Sequence, residues 1–359
     1  MADSKQAPLD AEAAAKAAFA SVQNQPFPND IFTAPELRWA VIGCGVIANQ
    51  MAQSLGLAGR KLAGVANRTL SKAQAFAEQY GVEKVYETVE DLYADPDIDA
   101  VYITTPHNTH ITYLRAALAA GKHVLCEKAI TLNSAELDEA RAIAAEHNVV
   151  LMDATTVLHM PLYQELRRRM DAGEFGRMNL AQLNFGSYKE YGDLTNRFYN
   201  RNLAGGAMLD IGVYALSVMR LFMASQPVEV VSLGNTCETG VDVAGGIVCR
   251  NAEQQLGVVS LTLHSKQPKR SVISFDKCYI EVNEYPRADH ATIVWTADGH
   301  REEVAAGTEA YALCYEMADL EQAVAVDDSK RELLDYASDV MELMTKLRAD
   351  WGVVYPEEE

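Results

Sequence analysis

Few folds accommodate the junction at residues 37–57, where LRWAVIG runs directly into CGVIANQMAQSLGL. The first seven residues are strand formers closed by Gly43, and VIANQMAQSLGL has the spacing of an amphipathic helix. Between them stands a GxGxxG/A pattern. Gly43 suits a tight turn and Gly45 lets backbone approach a pyrophosphate; Val46 and Ile47 open the helix, and small Ala48 lets it pack close to the strand. Two glycines in a turn are also common punctuation, so the surrounding pattern has to decide.

That pattern alternates. LAGVA (62–66), DAVYITT (99–105), HVLCE (123–127) and VVLMD (149–153) read as strands, separated by helices at SKAQAFAEQYG, HITYLRAALAAG and SAELDEARAIAAEHN. Strand-helix alternation predicts a doubly wound parallel Rossmann sheet, assigned to residues 37–153. Ligands of such sheets bind beyond the carboxyl ends of the strands. The residues expected to line that crevice are Asn67 and Arg68; Thr104, Thr105, Pro106, His107 and Asn108; His110 at the next helix start; and Glu127 with Lys128. An NAD site usually places an acid after the second strand, but this chain reads Ala66-Asn67-Arg68, with Lys72 one turn further. Arg68 and Lys72 suit a 2′-phosphate, so NADP is expected, with NAD as the alternative.

The 359 residues suffice for two domains, and a net charge of -19 without a Lys/Arg cluster argues against nucleic acid. No uninterrupted apolar run approaches the roughly 20 residues of a membrane helix. Six cysteines without a CxxC pair suit free thiols, and residues 1–36 lack a secretory signal, so a cytoplasmic protein is expected. Residues 1–36 read as an N-terminal extension whose DAEAAAKAAFASVQ carries a thin apolar stripe (Ala14, Ala17, Ala18, Val22). It is either a loosely docked helix or an arm around a partner subunit.

Residues 154–359 read as a substrate-binding and oligomerisation domain. Helix LYQELRRRMDAG precedes the strand MNLAQLNFG, the glycine-led helix GGAMLDIGVY and the β-rich runs EVVSLGN, GGIVCR, GVVSLTLH, SVISFD and YIEVN. Two helices close the chain, the last expected to pack near the Rossmann domain. Apolar residues on both alternations of these strands predict a homo-oligomer, dimer or tetramer, formed through the sheet. His107 and His110 form an HxxH without further ligands at metal spacing, so no metal is expected. His159 is open between core packing and a substrate rim.

The fingerprint GCGVIA, the loop TTPHNTH, AGKHVLCEKA, AGGAMLDIGVY and WGVVYP together resemble the glucose-fructose oxidoreductase/inositol dehydrogenase (Gfo/Idh/MocA) family, in that family's order, from about Leu37 onward. Within it the pattern is similar to the branch of dimeric dihydrodiol dehydrogenases and NADP-dependent aldose dehydrogenases, where tyrosine replaces the more usual histidine at the Tyr214 position. The resemblance implies a Rossmann domain followed by an α/β domain with a large, mostly antiparallel sheet, and reversible hydride transfer on a sugar, polyol or cyclic diol. Lys128, Asp210 and Tyr214 are the implied catalytic set. Lys128 holds the substrate hydroxyl and lowers the pKa of Tyr214, Asp210 positions substrate or lysine, and the proton is carried by Tyr214 or by Lys128. Ala129 stands where the family has proline, which removes that residue's preference for a cis bond. The rival readings are a cofactor-binding sensor without turnover and a nicotinamide-dependent glycosidase of the same fold.

Overall fold

The computed structural model of the chain describes residues 11–326 and 331–359. Residues 1–10 of the expected extension, and Ser329 and Lys330 at the start of the expected last helix, lie outside the described residues, as does the side chain of Ala14. The first half contains α1 (Ala11–Val22), β1 (Trp39–Ile42), α2 (Val46–Leu57), β2 (Gly64–Ala66), α3 (Leu70–Tyr80), β3 (Lys84–Tyr86), α4 (Val89–Ala94), β4 (Ala100–Ile103), α5 (His110–Ala119), β5 (His123–Glu127), α6 (Ser134–Glu146) and β6 (Leu151–Ala154). Its six strands are all parallel, in the order β3-β2-β1-β4-β5-β6. Every residue of β1, β4 and β6 is buried, as a parallel sheet covered on both faces requires. The sequence reading missed β3 and α4, because a three-residue strand and a six-residue helix give periodicity too little length to register.

The second half contains α7 (Pro161–Asp171), β7 (Met178–Gly186), α8 (Val213–Phe222), β8 (Pro227–Thr236), β9 (Asp242–Asn251), β10 (Leu256–Thr262), β11 (Gln267–Phe275), β12 (Cys278–Asn283), β13 (His290–Trp295), β14 (Arg301–Ala305), α9 (Ala312–Ala325) and α10 (Arg331–Asp350). The eight strands form one sheet, β14-β13-β12-β11-β7-β10-β9-β8, antiparallel except for the β7–β10 pair. The outer strands β13 and β14 were not read from sequence. Helix α8 packs on β7, β10 and β11, whose alternate residues are buried toward the helical side. On the opposite face, at the β8 edge, Val231 (75%), Leu233 (84%) and Val248 (47%) are exposed. Among the described residues the stretch Arg201–Phe222 is long and apolar enough to cross a membrane, but most of it is buried inside the protein as the core helix of this half.

The two closing helices return to the first sheet. Leu313, Met317 and Leu320 of α9 join the cluster around Trp39, Val41 and Leu55, and the Trp39 indole donates to Glu321 at 3.0 Å. From α10, Thr345 Oγ1 accepts the Ser134 N–H at 3.0 Å and the Arg348 guanidinium donates to Leu132 O at 2.5 Å. Helix α1 lies against its own chain: Val22 is buried, and the Phe27 ring that follows sits 4.8 Å from that of Tyr311.

Two of the sequence motifs meet at the start of the core helix. Tyr355 of WGVVYP donates its hydroxyl to Gly205 O at 2.7 Å. The next residue, Gly206, has φ +128, and an added Cβ would lie 2.3 Å from Asp242 Oδ1. Asp242 Oδ2 accepts the Met208 N–H at 2.6 Å and so caps the turn. Gly206→Ala therefore meets both a backbone conformation closed to L side chains and a carboxylate in the way. It is expected to lower unfolding free energy by about 2 kcal/mol or more in urea titration. An unchanged midpoint would contradict this account of the turn.

Candidate active site

The crevice at the carboxyl ends of the first sheet begins with a cradle. Gly43 has φ +103, and a Cβ there would be 2.7 Å from Thr104 Oγ1; the Thr104 N–H and hydroxyl both donate to Ile42 O, at 2.9 and 3.1 Å. At Gly45 no atom lies within 4 Å of an added Cβ, so the backbone faces open space. Helix α2 starts from Gly45 with no side-chain cap and no acid in its first turn, whereas α4 and α6 are capped by Thr88 and Asn133. Its first amides are thus left to an anion. Cys44, Gly45 and Val46 line a cavity of about 390 Å³. Ile47 packs half-buried behind them.

Arg68 and Lys72 are exposed where β2 leads into α3, and half-buried Asn67 donates to Thr69 O at 3.0 Å. The Lys72 ammonium bears on Cys44, whose thiol burial pushes up to about 11 while the lysine works the other way. Lys72 is therefore within electrostatic reach of the cradle. Thr105 and Pro106 form the rim of the next loop, where Thr109 Oγ1 donates to Pro106 O at 2.7 Å.

Three residues expected at the cofactor are occupied elsewhere. Asn108 spends its amide on Asn202 O at 3.1 Å and Glu357 at 2.6 Å, tying the loop to the second half and the C-terminal end. His110 is fully buried, with Nε2 2.8 Å from Thr105 O and Nδ1 3.0 Å from Ala129 O, so it fixes two loops and offers no surface to a ligand. Glu127 is also buried: its carboxylate accepts from the Tyr102 hydroxyl and, at 3.3 Å, from the Lys128 N–H. Burial pushes the Glu127 pKa up. His107 stays at the crevice, with Nδ1 3.3 Å from Ala204 O; burial and the Lys128 charge pull its pKa down to about 3, so its ring is neutral.

Lys128 projects from the end of β5, its side chain only 14% exposed. Its Nζ donates to Asp210 O at 2.7 Å and to Asp210 Oδ1 at 3.3 Å, and sits 4.8 Å from the centroid of the Tyr214 ring. Its ion pair is thus with Asp210, across the crevice, and not with the adjacent Glu127. The Lys128–Ala129 peptide bond is cis, against the expectation from the missing proline. Asp210 and Tyr214 do face one lysine, but the helix carrying them opens with a π turn, Met208–Gly212, before continuing as α8. Such wide turns are frequent at functional sites.

The electrostatics correct one expectation. Burial raises the Tyr214 pKa, and Lys128, which touches the ring face rather than the hydroxyl, lowers it by less; the phenol therefore lies above its ordinary value. Burial works against charge on Lys128 too, but Tyr214 and Asp210 outweigh it and its pKa rises. Asp210 is held well below the usual carboxylate range: burial opposes this, but Lys128 and Arg197 prevail. Arg197, 3.6 Å from Asp210 Oδ1, and nearby Lys189 come from the loop GSYKEYGDLTNRFYNRN, from which the sequence reading singled out no residue. His159 is an interior residue, paired with Asp319 at 2.8 Å and with Asp153 O at 2.8 Å. Among the described residues no group of three or more His, Cys, Asp or Glu side chains is arranged to hold a metal ion, and all six cysteines are free.

Comparison with known proteins agrees with this architecture. Residues 37–155 match the model of the Gfo/Idh/MocA oxidoreductases with an NAD-binding Rossmann fold, and residues 163–281 match the Gfo/Idh/MocA C-terminal domain. The trans-1,2-dihydrobenzene-1,2-diol dehydrogenase of Mus musculus is 32% identical over 254 residues, 69% of this chain and 75% of that protein. A 3-ketoreductase from Actinomadura kijaniata, solved with NADP and TDP-benzene, is 25% identical with a TM-score of 0.75, covering 88% of this chain and 98% of the other. An aldose-aldose oxidoreductase from Caulobacter crescentus shares the fold at 20% identity, with a TM-score of 0.78 over 88% of this chain and 97% of the other.

Proposed function

Because the chain belongs to the Gfo/Idh/MocA family of NAD(P)-dependent oxidoreductases, we propose that it uses NADP to move a hydride reversibly at the hydroxyl-bearing carbon of a sugar, polyol or cyclic diol. The observation that carries this reading is the Lys128 ammonium, held by Asp210 against the Tyr214 ring at the end of a strand in the sheet that also bears the glycine cradle. The diol and sugar chemistry of the relatives supports the substrate class. The residues present fit the dinucleotide: an open Gly45 and uncapped α2 amides for its diphosphate, Arg68 and Lys72 for a 2′-phosphate. When bound, that cofactor gives or takes the hydride.

The chain's own part is the proton. Reduction of a carbonyl needs an acid at the oxygen, and oxidation needs its conjugate base. Both Tyr214 and Lys128 have raised pKa values, so either stands protonated at neutral pH, ready as the acid of the reductive direction. Lys128 orients the substrate oxygen and Asp210 fixes the lysine by carbonyl and carboxylate together. His107, neutral beside them, orders the loop that borders the site.

The open apolar face at Val231, Leu233 and Val248 supports a second copy packed sheet to sheet, giving a dimer or tetramer. Six free cysteines support a reducing, cytoplasmic setting.

The test of function is a panel of aldoses, polyols, dihydrodiols and their carbonyl forms, followed by nicotinamide absorbance with NADP and NAD. Tyr214→Phe and Lys128→Met should each cut turnover by about 10² to 10⁴ while NADP affinity stays nearly constant. Reduction should be flat through neutral pH and fall as the raised pKa is crossed, whereas oxidation should climb with pH over the same range. Near-normal turnover in both variants would refute the assignment. No turnover of any substrate, with NADP still bound, would favour a sensor instead.

Arg68→Ala should weaken NADP by about 10-fold or more while leaving NAD nearly unaffected. Equal losses would remove the 2′-phosphate role. Light scattering should give at least a dimer at micromolar concentration, and Val231→Asp with Leu233→Asp should yield a folded monomer; a monomeric wild type would overturn the sheet interface.

A further inference from the structure

The cavity at the glycine cradle has a wall that does not come from the first sheet. Arg287 ends the short turn Tyr285–Arg287 between β12 and β13, and it lines the same space as Cys44, Gly45 and Val46. Its Nη1 donates to Gln50 Oε1 on α2 at 3.2 Å, so the side chain crosses from the second half of the molecule to the first. The turn beneath it is fixed: Tyr285 is fully buried, its carbonyl accepts from the Tyr163 hydroxyl at 2.8 Å, and Ala288 is buried behind it. At the other end of the crevice the Arg287 charge bears on Glu127, Tyr102 and Tyr214. Arg287 therefore stands between the α2 amides and the catalytic end of β5.

A dinucleotide with its diphosphate on those amides and its reactive ring at Lys128 has to pass this guanidinium. We propose that Arg287 is a diphosphate-binding residue supplied by the second half of the chain, which makes the bound cofactor a strut between the two halves. This rests on the dinucleotide reading above. Arginine offers five N–H donors in a planar fork matched to phosphate oxygens, and one bond to an uncharged amide leaves that fork available. The acids on which its charge bears are Glu309, which lines the same cavity, and the buried Glu127 and Glu316; Asp289 and Glu284 lie near Glu309. Glu309 is half-buried and its pKa is pushed up by burial, with Arg287 opposing. A phosphate at the fork competes with these carboxylates, and the cradle amides supply the second set of donors that favours it.

The experiment is calorimetric binding of NADPH, NADH, ADP-ribose and adenosine 2′,5′-bisphosphate to wild type, Arg287→Ala and Arg287→Lys, with thermal melts of all three. The bisphosphate carries the 2′-phosphate but no diphosphate. Arg287→Ala should weaken NADPH, NADH and ADP-ribose alike, by about 10- to 100-fold. The bisphosphate should bind within twofold of wild type, and Arg287→Lys should recover part of the loss. That pattern differs from the Arg68 variant, which should separate NADP from NAD. Dinucleotide binding by Arg287→Ala within twofold of wild type overturns the proposal, and so does an equal loss of the bisphosphate, which would make the residue merely structural. Failure of wild type to bind any dinucleotide would instead overturn the cofactor reading, and this inference with it.

Discussion

A buried ammonium held by one aspartate joins the two halves of this molecule. Lys128 ends a strand of the parallel sheet and Asp210 lies in the core helix under the antiparallel one; the lysine donates to both the carbonyl and the carboxylate of Asp210. Lysine is seldom buried without such a partner, because removing one member leaves an uncompensated charge in the interior. Everything else at the site takes its position from this pair. Tyr214 presents its ring face to the ammonium, Arg197 approaches the carboxylate from the loop outside, and His107 is kept neutral by burial together with the same charge. The π turn and the Gly206–Asp242 contact hold Asp210 at the height where Lys128 can reach it. Fold and site are thus fixed by the same few contacts.

Below that pair lies a layer of carboxyl groups that the catalytic reading does not use directly. Burial pushes Asp153 up to about 7 and Glu316 up to about 8, and Glu127 rises for the same reason. His159, despite its burial, is raised by Asp319 and by the Asp153 carbonyl against its two ring nitrogens. The ends of β5 and β6 thus carry acids that are easier to protonate than acids in water.

What could be read from the sequence was what depends on neighbouring residues. The glycine cradle needs only a strand, a turn and a helix in succession, and α2 begins and ends where its letters say. Lys128 stood out because a lysine after HVLCE sits at the end of a buried strand. The hydrogen bonds of Asn108 and Glu127 could not be read because their partners lie far along the chain, Glu357 for one and Tyr102 for the other. The burial of His110 was hidden too although Thr105 is five residues away, since only the fold brings Ala129 to its second nitrogen. The sequence placed Lys128 near Tyr214 but gave no hint that it meets the ring face, nor that burial outweighs the ammonium and leaves the phenol above its ordinary value. Arg287 carried no signal at all, because nothing in YPRAD marks a turn that reaches across to α2.

The distribution of charge completes the argument. The chain is acidic, at -19, yet the crevice gathers Lys72 and Arg287 around the cradle and Lys128, Lys189 and Arg197 around Asp210. An acidic surface repels phosphate in bulk solution, whereas a cleft lined by cations focuses the field inward. Such a field favours a diphosphate at the cradle over phosphate spread across the acidic surface. At the substrate end Lys128, Lys189 and Arg197 outnumber the one ionised aspartate, but the buried Lys128 is paired directly with it while Arg197 stays largely exposed to water. A neutral polyol or sugar can enter such a site without burying unpaired charge, since ammonium and carboxylate already satisfy one another and have only to share their hydrogen bonds with its hydroxyl groups.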